Sequence, residues 1–362
     1  MLHRPMRIIA GVAIIGLTLA ATPAAQRVAR AQTYSVLDLG ASTPAAINRS
    51  GQVTGSRVFS AGQPAHAFLW NPSSPNTFID VGLPKGYTSS VGSGLNNRGD
   101  VAGSGSGAPS IVDHALLWPA GGAAQFIGPT TKSTRSVANG VNDSQDVVGN
   151  LYGTGGGAFL SKIVSGTRQR FIIGNGSGYP NAINTAGQIL VNTSTFDYPS
   201  GYLWTPSGAP GQGTSINLPS GYTAYALADT GALAGTRIDL PVHPYALPVA
   251  YSPLAGAWLD VPWPPAIPQG TWDWGRATGI NNSEVVVGVA SASDPNGYEV
   301  GNTGWIWDSA NGTRDLNALI PSGTGWVLFD MNGRAPTIND SGWIIGTGLL
   351  NGVRHGFVLI PN

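Results

Sequence analysis

The 362-residue chain has no cysteine, three lysines and two glutamates, and Asp, Glu, Lys and Arg together make up only 10% of it. Without cysteine there are no disulfides, no thiolate metal sites and no cysteine nucleophile. Eighteen basic residues balance eighteen acidic ones. That balance argues against a nucleic-acid surface, whose affinity comes from Lys and Arg neutralising phosphates. Low charge alone would suit a disordered chain, but 42% hydrophobic residues with 11 Trp and 11 Tyr are enough to bury a core. Against that background, 52 glycines and 27 prolines read as many tight turns and little helix.

Long apolar runs are also scarce. The longest, Ile8 to Ala21, follows His3, Arg4 and Arg7 and leads to Ala29-Arg30-Ala31, the layout of a signal peptide with an A-x-A cleavage site. It is too short to span a bilayer core of roughly 30 Å comfortably. Residues 1–31 are therefore expected to be a leader, and 32–362 a single secreted or periplasmic domain without stable membrane insertion.

One unit recurs along that domain. An apolar residue and Asn, a short turn, and a β-branched run ending in Gly appear as Ile47-Asn48 through Gly55 and as Leu95-Asn96 through Gly103. Further copies align Asn142, Asn184, Ala228, Asn281 and Asn339, at steps of 48, 46, 42, 44, 53 and 58 residues. A third segment follows each, His66-Ala67-Phe68-Leu69-Trp70 in the first copy and His114-Ala115-Leu116-Leu117-Trp118 in the second. A fourth, such as Phe78-Ile79-Asp80-Val81-Gly82, completes the unit. Four short strands repeated at this period predict an all-β, seven-bladed β-propeller. The seventh copy stops after its third strand, while Tyr34 to Gly40 matches a fourth strand with no blade of its own. The N-terminal strand is therefore expected to complete the last blade and close the ring.

The pattern Ile-Asn-x-x-Gly-x-x-x-Gly followed by His-Ala-Phe-Leu-Trp resembles the HAF repeat of predicted extracellular bacterial proteins, with the His-Ala-Phe form plainest at His66 and weaker at His114 and His355. The resemblance covers nearly all of residues 32–362. It implies secretion and a repeat architecture, and carries no catalytic residues.

Several motifs look chemical and have simpler readings. The repeated Asn residues suit hairpin turns, where Asn tolerates positive φ and bonds its own backbone, and Gly supplies the rest. The three histidines sit at equivalent places in separate units, which reads as packing rather than metal ligation, so no metal and no cofactor are expected. Arg98-Gly99-Asp100, an adhesion tripeptide by spelling, falls in one of the Asn turns. Glycine clusters at 103–107 and 153–157 have no helix behind them to form a phosphate loop and read as flexible connections between second and third strands.

Departures from the repeat locate the candidate site. The stretch from fourth strand to next aligned Asn is 12 to 17 residues in most units, but 22 from Leu259 to Asn281 and 23 from Leu316 to Asn339. The second-to-third-strand connection of unit six is also long. These connections share one face of a propeller, and they carry Trp263, Trp272, Asp273, Trp274, Arg276, Asp294, Tyr298, Glu299, Trp326, Asp330 and Arg334. Exposed aromatic faces beside charged groups suit sugar recognition. A plainer role for the tryptophans is to plug the channel mouth or cover the edge of blade six. The leading expectation is a monomeric, non-catalytic binding module for a glycan or cell-surface polymer. The alternatives are a polysaccharide hydrolase or lyase using Asp273, Glu299 and Asp330 as acid and base, or a platform for an envelope protein.

Overall fold

The computed structural model describes residues 32–362 apart from 108–111, 130–133, 154–155, 175, 194–199, 240–242, 268 and 329–336, and side chains outside 239–245. The proposed leader, residues 1–31, lies outside the described residues.

Seven antiparallel sheets follow one another along the chain as the blades of a propeller. The first strand, β1 (Tyr34–Asp38), stands apart from blade one, which is β2 (Ser42–Ile47), β3 (Val53–Arg57), β4 (His66–Trp70) and β5 (Phe78–Asp80). Blade two is β6 (Tyr87–Leu95), β7 (Val101–Gly107), β8 (His114–Trp118) and β9 (Gln125–Phe126). Blade three is β10 (Ser136–Val141), β11 (Val147–Leu151), β12 (Gly157–Val164) and β13 (Thr167–Ile172). Blade four is β14 (Tyr179–Ile183), β15 (Ile189–Asn192), β16 (Gly201–Pro206) and β17 (Gly213–Asn217). Blade five is β18 (Tyr222–Leu227), β19 (Leu233–Asp239), β20 (His243–Ser252) and β21 (Ala257–Asp260). Blade six is β22 (Thr271–Ile280), β23 (Val286–Ser293), β24 (Glu299–Asp308) and β25 (Gly312–Asp315), followed by a 3-10 turn, Leu316–Leu319.

Blade seven joins the two ends of the described chain. Its inner edge is in two pieces, β26 (Trp326–Val327) and β27 (Thr337–Ile338), both paired with β28 (Ile344–Leu350). Next comes β29 (Val353–Pro361), and β1 lies outside it in the register Tyr34↔Pro361 to Asp38↔Phe357. The expected closure is therefore present, and it leaves no blade with three strands.

Burial explains why the repeat has its composition. The His-Ala-Phe-Leu-Trp strand is a middle strand, covered on both faces by neighbouring blades, and Ala67, Phe68 and Trp70 are all fully buried. Fourth strands lie at the rim and are open: every residue of β17 is exposed. Among the described residues there are seven buried apolar clusters, each shared by two adjacent blades. Val53, Phe68 and Trp70 of blade one, for example, pack with Leu39, Ile345 and Val358 of blade seven.

The glycine that ends each β-branched run lies inside the second strand rather than closing it. A Cβ at Gly55, Gly103, Gly149, Gly235 or Gly288 would stand 1.9 to 2.1 Å from a carbonyl oxygen of the first strand, so only glycine permits the approach. Residues 103–107 accordingly belong to β7 and are not a flexible connection, because this approach recruits them into the sheet. The long second-to-third-strand connection of blade six is likewise mostly strand. β23 and β24 run on to Ser293 and Glu299, leaving a short turn in which the Asp294 N–H donates to Tyr298 O at 2.8 Å.

Candidate functional site

The first strands line a central channel, and the aligned Asn residues ring one end of it. Each Asn Oδ1 accepts N–H groups of its own turn, as Asn142 does from Ser144 and Asp146. Its Nδ2 then donates to the carbonyl of the aligned residue one blade on. The chain of donors runs Asn48 to Asn96, Asn142, Asn184 and Ala228, then from Asn281 to Asn339 and back to Asn48, at 2.9 to 3.2 Å. Ala228 has no amide and breaks the ring once.

The turns do not place Asn at positive φ. That conformation falls three residues later, at Gly51, Gly99, Gly187, Gly231 and Gly342, and at Gln145 and Glu284 in the two copies that lack glycine there. Among the described residues no group of three or more His, Asp or Glu is placed to hold a metal. Arg49 crosses the mouth of this end, 3.5 Å from Asp229 of blade five and 3.4 Å from Asp340 of blade seven. Asp100 of the adhesion-like tripeptide is buried and accepts from Asn96 Nδ2.

The residues just before the Asn positions form a collar. Ile47, Leu95, Val141, Ile183, Leu227, Ile280 and Ile338 line both the shallow mouth, about 200 Å³, and a larger cavity of about 640 Å³ beyond it. The collar is their shared wall.

Six β-bulges shape that larger cavity. The register of the first strand slips between Pro44 and Ala46, Gly92 and Gly94, Ala138 and Gly140, Pro180 and Ala182, Ala224 and Ala226, and Ala277 and Gly279. A bulge re-aims the extra side chain, and here the extra residues Ala45, Ser93, Asn139, Asn181, Tyr225 and Thr278 all line the cavity. Arg276 joins them and is the one charged residue among its described lining. Its guanidinium carbon lies 4.9 Å from the Trp274 ring centre and 5.6 Å from that of Tyr225.

The site residues expected from the sequence divide among several environments. Trp272 is not an exposed ring: it belongs to the core between blades five and six, and its Nε1 donates to Pro265 O at 3.0 Å. Trp263 is half-buried against the same core, where a Cβ on Gly275 would meet its ring at 2.6 Å. Trp326 packs edge-on against His355 and Phe357. All three pack against apolar or aromatic neighbours rather than presenting open ring faces. Among the described candidates only Arg276 lines the channel, with Trp274 against its guanidinium.

Tyr298 is 72% exposed at the tip of the blade-six hairpin. Asp294 anchors that tip, and the Tyr298 N–H donating to its carboxylate, with help from Asn296, holds its pKa below the usual carboxylate range. Asp273 is half-buried; Glu299 is exposed and accepts from Asn302 Nδ2 at 2.7 Å. Asp330 and Arg334 lie outside the described residues. The histidines pair locally: His66 with Asp80 at 2.7 Å, His355 with Asp38 at 2.9 Å, and His114 with the Tyr87 hydroxyl.

The bulge positions escaped the sequence reading. Their signal is present, however: three residues before the aligned position the copies read Ala45, Ser93, Asn139, Asn181, Tyr225 and Thr278. This variation stands between positions that repeat.

Fold and channel together define the class: a seven-bladed β-propeller with a bulge-lined central cavity. No family model matches the chain, and no curated protein matches it. Among solved structures it is similar to TolB from Acinetobacter baumannii, at 13% identity over 86% of this chain and 80% of that one, TM-score 0.45. It is also similar to a putative gluconolactonase, at 10% identity over 92% and 93%, TM-score 0.38. An arginine-substituted mutant of AofleA from Arthrobotrys oligospora aligns at 9% identity over 77% and 87%, TM-score 0.33.

Proposed function

We propose that this protein is a secreted, non-catalytic binding module of the HAF repeat kind, which takes a glycan or cell-surface polymer into the central cavity from the blade-six side. The observation that carries the reading is the set of six bulges. They turn six side chains of differing chemistry into one cavity, above the apolar collar and beside Arg276. Loops and bulges on a rigid scaffold are where binding groups are found, and the cavity volume lies within the roughly 300–1,000 Å³ of small-ligand sites. The leader-like residues 1–31 support secretion. Among the described residues no helix is long and apolar enough to cross a membrane.

The test is a glycan and polysaccharide binding screen of the secreted protein beside Tyr225→Ala and Trp272→Ala variants. Binding by the parent that weakens at least tenfold in Tyr225→Ala is expected, while Trp272→Ala lowers the unfolding midpoint instead. A folded protein that binds none of the glycans would overturn the reading. Turnover of a bound polysaccharide that disappears in Asp273→Asn would replace it with an enzyme.

A further inference from the structure

Arg276 has no counter-ion in its cavity among the described residues. Among the described residues it makes no ion pair and no hydrogen bond, and its Nε is buried with no partner. What holds it is stacking against Trp274 and Tyr225. Stacking uses the faces of a guanidinium and leaves its in-plane N–H groups free. A free planar fork matches a carboxylate in bidentate fashion, and a lone cation in a partly enclosed site attracts an anion more strongly than one in open water.

The rest of the lining indicates what should be attached to that carboxylate. Asn139 Nδ2 donates to Pro180 O at 2.7 Å and to Asn150 Oδ1 at 3.3 Å, which leaves its Oδ1 as an acceptor toward the cavity. Asn181 Nδ2 donates to Ala224 O at 3.4 Å, leaving a second carbonyl oxygen of the same kind. Acceptors of this type take hydroxyl donors. Ser93 adds a hydroxyl, and the collar of Ile, Leu and Val offers an apolar floor. A single cation also suits a monoanion better than the double charge of a phosphate monoester.

From this geometry we infer that the cavity binds a uronic acid residue of a glycan, its carboxylate on Arg276 and its hydroxyls on the bulge amides. The inference rests on the glycan-binding reading above and narrows it to acidic sugars.

Calorimetric titration of the whole secreted protein separates the two. The probes are galacturonate and glucuronate, their neutral counterparts galactose and glucose, and acetate as a carboxylate without a sugar. A uronate should bind at least tenfold more tightly than its neutral counterpart, and the preference should shrink with added salt and as pH falls below the carboxylate pKa of roughly 3.5. Arg276→Met should abolish the preference, and Arg276→Lys, which keeps the charge but loses the fork, should retain only part of it. Equal affinity for acid and neutral sugars would overturn the carboxylate inference and leave glycan binding standing. Acetate binding as tightly as a uronate would overturn the uronic acid assignment, and binding of none of the probes, with none in the glycan screen, would overturn both readings. If Arg276→Met does not fold, undiminished preference in Arg276→Lys overturns the bidentate role.

Discussion

At the scale of single residues, the Asn turns set the sharpest expectations. Gly51 has φ +80°, and a Cβ there would stand 2.7 Å from the Trp343 ring. Gly51→Ala combines left-handed strain with a clash between blades one and seven, and chemical denaturation should show a loss of about 2–4 kcal/mol. Gln145 and Glu284 take the same conformation without glycine because their side chains bond neighbouring blades, Gln145 Nε2 to Asp100 and Glu284 to the Ser252 hydroxyl. Asn142→Ala removes an interblade donor and an acceptor for two backbone N–H groups, for an expected cost of about 2–3 kcal/mol. The converse substitution, Ala228→Asn, should add the missing link. The Ala228 turn already has the backbone bonds of the others, Ala228 N to Ala232 O at 2.9 Å and Gly231 N to Ala228 O at 3.1 Å. A gain of about 1 kcal/mol is expected, read as a higher unfolding midpoint.

Tyr34 makes a residue-scale prediction in pH. Its hydroxyl is buried without a partner, and burial pushes its pKa up to about 12, with Arg314 lowering it and Asp308 raising it to lesser degrees. A phenol whose pKa is raised on folding contributes stability that is complete below about pH 10 and is lost as pH climbs through 12. Base titration should therefore remove about 2–3 kcal/mol from the parent across that window. Tyr34→Phe should flatten this loss while leaving stability at pH 7 unchanged or improved, because it deletes an unsatisfied buried hydroxyl.

At the scale of elements, the blades are coupled by hydrogen bonds as well as apolar contact. Ser90 on β6 accepts from the Ala67 N–H of blade one at 2.9 Å, and Ser136 on β10 accepts from the Ala115 N–H of blade two at 3.0 Å. Each serves a buried N–H of a His-Ala strand, so Ser90→Ala should cost about 1–3 kcal/mol by leaving that donor unpaired. A change within the error of denaturation would show that the N–H finds another partner. The first strands were legible as segments ending in an apolar residue and Asn, but their bulges were not. A bulge depends on pairing with the next strand, and residue types such as Asn139 or Tyr225 do not announce which way they point. Trp263 and Trp272 were misread as exposed for a related reason: an aromatic in an insertion looks the same in sequence whether it meets solvent or a Gly275-sized recess.

For the whole molecule, each blade buries both faces against neighbours, so the ring stands or falls at its closure. Five register pairs between β1 and β29 hold it, with Leu39 N to Gly356 O and Asn362 N to Thr33 O extending them at 2.9 and 3.0 Å. Deletion of residues 33–40 should leave Ile344, Phe357 and Leu359 uncovered and drive unfolding or strand exchange between molecules. A monomeric truncated protein with an unchanged midpoint, seen by light scattering and thermal unfolding, would refute the dependence on closure.

Blade number, strand order, the aligned Asn turns and the closing role of the N-terminal strand were all determined by the sequence alone, because repetition shows the same local chemistry seven times and hydrophobic patterning is a short-range property. The cavity was decided only by the tertiary structure. Its lining comes two or three residues at a time from first strands more than forty residues apart, and in six of them a bulge that exists only when two strands pair aims one side chain into it. Residues that stand together in the sequence, such as Trp272, Asp273 and Trp274, were separated for the same reason: a bulge between Trp272 and Trp274 leaves Trp272 in the core while Trp274 stacks on Arg276.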